Sequence, residues 1–178
     1  MTYPNFVLGD KWEPADANAV GLWLVKSQTI GTGVSSVTVT GAFSADYDNY
    51  KIVISGGVTG TAGSVTFQLN NSTGATYGFF GSFGSYGTAT LNAYASVGLT
   101  SWTDIGVGGT AGWMATIELM SPFATKPTLG TTWSTSTATA YNFAIRDTAA
   151  VSNTGFTLTG LGGNTLTGGT IRVYGIRN

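Results

Sequence analysis

From Leu22 onward no stretch of this chain holds a helical period for more than two turns; short runs in which apolar and hydroxyl residues alternate are cut at close intervals by glycine. Alternation at period two sends successive side chains to opposite faces of a pleated ribbon, so each run describes a strand with one buried face. Ser36-Val-Thr-Val-Thr40 and Ser64-Val-Thr-Phe-Gln-Leu69 show it most cleanly. The breaks carry turn chemistry: Gly31-Thr-Gly33, Gly56-Gly57, Asn70-Asn71-Ser-Thr-Gly74, Gly108-Gly109, Gly162-Gly163 and Gly168-Gly169. Strands are accordingly predicted over 22–30, 36–40, 50–55, 64–69, 76–81, 90–95, 102–107, 113–119, 138–145, 155–158 and 170–174. Without crossover helices such strands pair antiparallel. About ten of them are too many for one flat sheet. The predicted fold is therefore all-β, an antiparallel β-sandwich of jelly-roll type in which two facing sheets share one core. No period of roughly 20 to 50 residues recurs, which argues against propellers and β-helices.

The side chains suit that architecture. The 178 residues include 27 Gly, 30 Thr, 15 Ser and 22 aromatics, and 42% are hydrophobic. β-branched and aromatic side chains favour a pleated, half-buried surface, and this composition lies far from that of a disordered chain.

The same composition narrows function. There is no His and no Cys, which removes disulfides, thiol nucleophiles, imidazole or thiolate metal sites and every His-based triad. Charged residues are 8% of the chain and the net charge is −1, too little positive charge for a nucleic-acid surface that works by counterion release. No window nears the ~18 apolar residues of a membrane-spanning helix, and no basic start with an apolar run marks a signal peptide. No cofactor, metal, nucleic acid or membrane insertion is expected.

Residues 1–21 read as a separate N-terminal arm, with the sandwich over 22–178. Pro14 suits the first position of a helix, where a missing N–H costs nothing, and Ala15–Val20 supplies one or two turns that Gly21 can end. So short a helix is unstable alone, and the apolar groups of the arm need another surface. Phe6, Leu8, Trp12, Pro14 and Val20 are expected to anchor the chain on a neighbouring subunit or a larger assembly; the alternative is an arm packed on its own domain.

Catalytic motifs are scarce. Asp46-Tyr-Asp48-Asn49 offers alternate oxygens for Ca²⁺ but lacks the central Gly and terminal Glu of an EF-hand loop, and reads as a turn before a strand. The eight acids are scattered, and Glu118 alternates with Ile117 and Leu119 so as to face water. That leaves no carboxyl pair to flank a glycosidic bond. Serine nucleophiles would have only lysines or the amino terminus as base, and no nucleophile elbow or phosphate loop occurs. No catalytic residue is assigned.

Tyr77-Gly-Phe-Phe80-Gly-Ser-Phe83-Gly-Ser-Tyr86 is the most unusual segment. Rings bracketed by glycine bury area at little entropic cost against a sugar or another protein. Tyr77, Phe79, Phe80, Phe83 and Tyr86 thus form a candidate contact surface, the other reading being a core strand running into a flexible hairpin.

Three stretches carry a resemblance. Gly9-Asp-Lys-Trp-Glu-Pro-Ala15-Asp16-Ala17-Asn18 followed by Gly21-Leu-Trp-Leu-Val resembles the lead-in of tailed-bacteriophage structural proteins. Phe43-Ser-Ala-Asp-Tyr47-Asp-Asn49-Tyr50-Lys-Ile-Val is similar to the opening strand of jelly-roll modules in phage tail-fibre, receptor-binding and capsid-surface proteins, and Thr167-Gly-Gly-Thr-Ile171-Arg172-Val-Tyr174-Gly175-Ile to their closing strand. On the residues alone, the 47–54 and 171–176 segments form strands able to lie side by side.

The resemblance implies a non-enzymatic virion protein assembling as a homotrimer. The leading expectation is a capsid decoration (cement) protein, exposed on the particle and held to the major capsid protein through its arm. The alternatives are a short tail fibre or receptor-binding tip, which would touch tail proteins and a host-surface glycan or protein during attachment, and a carbohydrate-binding module stacking sugars on Trp102, Trp113, Trp133 or the Tyr77–Tyr86 rings. No shaft of coiled-coil, collagen-like or β-helical type is present, which favours decoration over a fibre.

Overall fold

Alternating sequences bury their apolar halves only if two sheets face each other, and the chain folds that way. The structure, a computed structural model, describes residues 21–61 and 63–176. The arm, with Phe6, Leu8, Trp12, Pro14 and Val20, lies outside the described residues apart from Gly21. In chain order the strands are β1 (Leu22–Thr29), β2 (Ser36–Val39), β3 (Asn49–Thr59), β4 (Gly63–Leu69), β5 (Tyr77–Ser85), β6 (Thr90–Leu99) and β7 (Trp102–Gly108). There follow β8 (Trp113–Met120), β9 (Thr128–Ser136), β10 (Thr139–Asp147), β11 (Phe156–Gly160), β12 (Leu166–Thr167) and β13 (Thr170–Ile176). All strand pairings are antiparallel and form two packed layers. A four-stranded sheet runs β2-β11-β4-β7, and a nine-stranded sheet runs β1-β13-β3-β8-β9-β10-β5-β6, with β12 also paired to β3. No helix among the described residues is long and apolar enough to cross a membrane.

Between the layers lies one continuous core. Phe67 of β4 stacks on Phe156 of β11 at 4.5 Å, and Trp102 of β7 meets Tyr77 of β5 edge-on at 5.1 Å. Polar ties also cross the layers. The fully buried Trp102 donates its Nε1–H to the Arg146 carbonyl of β10 at 2.8 Å, and Thr132 of β9 donates its hydroxyl to the Ile105 carbonyl of β7 at 3.1 Å. The inward rows of β13, β3, β8, β9, β10 and the near half of β5 are buried in this core, while β6 is exposed along most of its length.

The two ends of the sandwich domain meet as expected. β3 and β13 lie side by side with Ile54 opposite Ile171 and Ile52 opposite Val173. The ring of Tyr47 covers Gly175, where any Cβ would collide with it. Tyr50 is buried, donates its hydroxyl to the Ser44 carbonyl (2.9 Å) and accepts from the Ser44 N–H (2.8 Å), closing the turn before β3. Burial pushes its phenol above the usual range.

Three expectations need correction. Gly56-Gly57 does not end the third strand. Gly56 takes φ +77° inside it, and the ladder to β8 slips by one residue between Ser55 and Gly57, a bulge that bends β3 without breaking it. The 76–81 and 90–95 strands run on to Ser85 and Leu99, because they pair with each other as a long hairpin. And β9, together with the two-residue β12, is a strand where none was predicted.

Candidate contact surface

The outer sides of the two sheets differ, and that difference marks the candidate site. Along the four-stranded sheet the outward positions are hydroxyls and amides: Thr38, Thr157 and Gln68 in one cross-strand row, Ser36, Thr159 and Thr66 in the next. The Thr38 and Thr157 hydroxyls bond each other at 3.0 Å, and Gln68 donates to the Thr100 carbonyl at 3.0 Å.

Across the nine-stranded sheet the register builds different rows. One passes from Leu22 through Ile176, Asn49, Met120, Leu129, Arg146 and Gly78 to Val97. The next holds Leu24, Tyr174, Lys51, Glu118, Thr131, Ala144, Phe80 and Ala95. Trp133 and Ala93 follow in the third row, Met114 and Leu91 in the fourth. Phe80 is 67% exposed, Val97 68% and Leu91 77%. On either side of Leu129 the surface dips into grooves of about 390 and 330 Å³, the first walled by Phe80, Ala95, Val97, Ala144 and Arg146. In the middle of the face Lys51 and Glu118 pair at 2.9 Å. Glu118 does face water, as its alternation in β8 predicts.

The structure divides the aromatic segment. Tyr77 and Phe79 are corrected from contact residues to core: both are buried, because they share the inward face of β5 with the packing against Trp102 and Phe143. Phe80, one residue on, necessarily points the other way and is exposed. Phe83 is half-buried in a cluster with Tyr94 and Tyr141, its ring stacked on Tyr141 at 5.5 Å. Tyr86 is exposed, its hydroxyl 3.1 Å from that of Thr135 on the outer side of β9. Of the tryptophans considered for sugar stacking, Trp102 and Trp113 are buried and only Trp133 is open, at 46%.

Leu129, Leu91 and Val97 belong to this surface although no sequence signal selected them as contacts, and Trp133, considered only for sugar stacking, joins them. Their strands do alternate; what alternation alone leaves open is which half faces the core.

The remaining polar chemistry serves the fold. The Asp46 turn is held by a hydrogen bond from the Ser44 hydroxyl at 2.9 Å. Two carboxylates, Asp104 and Asp147, are buried in strands, a placement the sequence reading missed. Asp104, at φ +60° in the irregular β7, accepts from the Ser64 and Tyr94 hydroxyls. Burial, reinforced by the Asp104 charge, holds the Tyr94 and Tyr141 phenols above their usual range. Asp147 accepts from the Ala149 N–H at 3.1 Å. Among the described residues no three His, Cys, Asp or Glu side chains gather where they could hold a metal ion. No family model matches the chain, and no curated protein matches it in sequence.

Proposed function

We propose that this chain is a non-enzymatic bacteriophage virion protein, a homotrimeric capsid decoration protein anchored through residues 1–21. The observation that carries the reading is the broad outer face of the nine-stranded sheet, which exposes Phe80, Leu91, Val97, Leu129 and Trp133 around the paired Lys51 and Glu118 and two arginines, and which suits a molecule that acts by covering and being covered. The strand order supports the jelly-roll part. With β2, β3, β4, β5, β6, β7, β8 and β11 numbered one to eight, the narrow sheet reads 1-8-3-6 and the wide one 2-7-4-5, with the β9-β10 hairpin inserted between the seventh and fourth and β1 and β13 added beyond the second. That is the wiring of two interlocked Greek keys. The resemblance of the 43–53 and 167–176 segments to phage modules supplies the virion part, and those segments form the paired β3 and β13.

Co-sedimentation tests it. The purified chain is mixed with capsids stripped of their surface proteins and, separately, with intact host cells. Binding to capsids that is lost on deleting residues 2–20 is the expected result. Binding to cells that survives the deletion replaces decoration with a receptor-binding or glycan-binding role, and binding to neither removes the virion reading.

A further inference from the structure

We infer that the outer face of the nine-stranded sheet is where copies of this chain meet, so that the proposed trimer closes through it; the inference rests on the self-association half of that proposal. Its strongest support is the reversed polarity of β9. This strand lies in the middle of the wide sheet, yet it turns Thr128, Thr132 and Ser134 into the core, all buried, and Leu129 and Trp133 outward. An antiparallel strand with one wet face normally does the opposite. A strand that sends its large apolar groups away from its own core makes physical sense when a second apolar layer covers it. β6 shares the outward half of the pattern, with Leu91, Ala93, Ala95 and Val97 on the outer face, although its opposite face holds Tyr94 and Leu99 against the core beside Thr90, Asn92 and Ser96.

Three further features point to a second copy as the cover. The first is size. Eight strands about 4.8 Å apart and about seven residues of about 3.3 Å each span roughly 800 Å², which is what one partner of a standard stable interface contributes. The second is charge. Lys51 and Glu118 neutralise each other at 2.9 Å, and Arg146 and Arg172 are the other charged side chains on the rows, so no broad field of one sign repels an identical surface. The third is the edge. β6, ten residues from Thr90 to Leu99, ends the sheet with neither a charged residue nor a proline, two of the devices by which monomers guard an exposed edge, and its one irregularity, the bulge at Gly98, lies at the end of the strand.

Sedimentation of the full chain tests this. Wild type is expected at roughly three times its 18.3 kDa mass. Leu129→Glu combined with Val97→Glu is expected to fall to the single-chain mass, while Thr38→Glu combined with Thr157→Glu, on the outer face of the narrow sheet, keeps the assembly. A monomeric wild type, or a charged wide face that still assembles, overturns the inference. A wild type at twice the chain mass that the same pair of glutamates dissociates keeps the interface and overturns the trimer.

Because the chain has no cysteine, a labelling readout stands in if the glutamate variants misfold. In the assembled protein the Ala95→Cys variant should react with a bulky maleimide about tenfold more slowly than Thr38→Cys. Equal rates overturn the inference. So does deletion of residues 2–20 that opens the Ala95→Cys site without changing the assembled mass, since the arm would then be the cover. An assembly that dissociates as expected but binds no capsid leaves this interface standing and removes the virion reading.

Discussion

The sandwich has two outer faces made by the same folding rule and finished in opposite ways. Both sheets pack their inner rows into one core. The narrow sheet ends outward in threonine, serine and glutamine, whose hydroxyls and amide bond one another or nearby carbonyls. The wide sheet sends Leu, Met, Trp, Phe and Val outward, interspersed with Asn49, Thr131, Arg146 and the Lys51–Glu118 pair. Packing inside cannot account for the difference, because every inner row is covered by the opposite layer wherever the two overlap. The outer rows are free to follow their surroundings, and water selects hydroxyls while a protein partner selects apolar groups. The contrast therefore reports on what each face meets.

The core that both faces share sets the scale for breaking this comparison. Trp102 is fully buried, packs on Phe67 and Tyr77, and donates across the layers to β10. Trp102→Ala should cost about 3–5 kcal/mol, read as a drop in the urea midpoint, and should separate the sheets before it alters either outer face. A loss under about 1 kcal/mol would mean that the layers hold together through something other than this shared core.

The next effect comes from alkaline pH. Tyr77 is buried, donates its hydroxyl to the Ser72 carbonyl (2.7 Å) and accepts from the Leu69 N–H (3.0 Å). Burial above all, with Asp147 adding to it, pushes its phenol from 10.0 up to about 12. The unfolded chain releases this proton first, so the stability tied to the neutral phenol is complete below pH 10 and is lost as pH rises toward 12. A two-unit shift corresponds to about 3 kcal/mol. Tyr50, Tyr94 and Tyr141 shift in the same direction. The measurement is the urea midpoint against pH, and Tyr77→Phe should flatten the slope. An unchanged slope would place the titrating core elsewhere.

The inner rows were legible in the sequence wherever alternation paired apolar residues with hydroxyls in the usual sense. Val37 and Val39, or Phe156 and Leu158, fall inside as expected. β9 escaped for a physical reason: its inward positions are Thr128, Gly130, Thr132 and Ser134, so it offers no apolar face to a core, and Gly130 is required because any Cβ there would strike the Glu118 carbonyl. The contact surface was legible only in part. Phe79 and Phe80 are adjacent, so one had to be core and the other exposed, and the segment alone does not say which. Period two gives the two halves of a strand, while the side that meets the other sheet depends on pairings distant in the chain.

That blind spot supplies the third prediction. Thr128 is fully buried, and its hydroxyl has no hydrogen-bond partner among the described residues. Replacing a buried, unpartnered hydroxyl with a methyl removes a desolvation cost, so Thr128→Val should stabilise the chain by about 1 kcal/mol in thermal or urea melts. The matched change on the wet face, Thr38→Val, exchanges a solvated hydroxyl in the Thr38–Thr157 pair and should stay within about 0.5 kcal/mol of neutral. If both substitutions stabilise equally, the inner rows of β9 are no drier than the outer rows of β2, and the comparison fails at its centre.

The pair worth least in the single chain is also the one that discriminates best. Lys51 and Glu118 form the ion pair in the middle of the apolar face, with side chains 32% and 53% exposed in the single chain. At that exposure a double-mutant cycle on a dissociated chain should give no more than about 0.2–1 kcal/mol, shrinking as salt is added. Once a second copy covers the face, the pair is desolvated, and removing one partner leaves the other charge buried against apolar surface. Glu118→Gln should then weaken assembly about tenfold while the melting of the dissociated chain barely moves. The corresponding test on the narrow sheet, Gln68→Ala, removes a hydrogen bond to the Thr100 carbonyl in water and should leave assembly unchanged. A pair whose worth is the same in both states, and equally sensitive to salt in both, would mean that water reaches the wide face as freely as the narrow one.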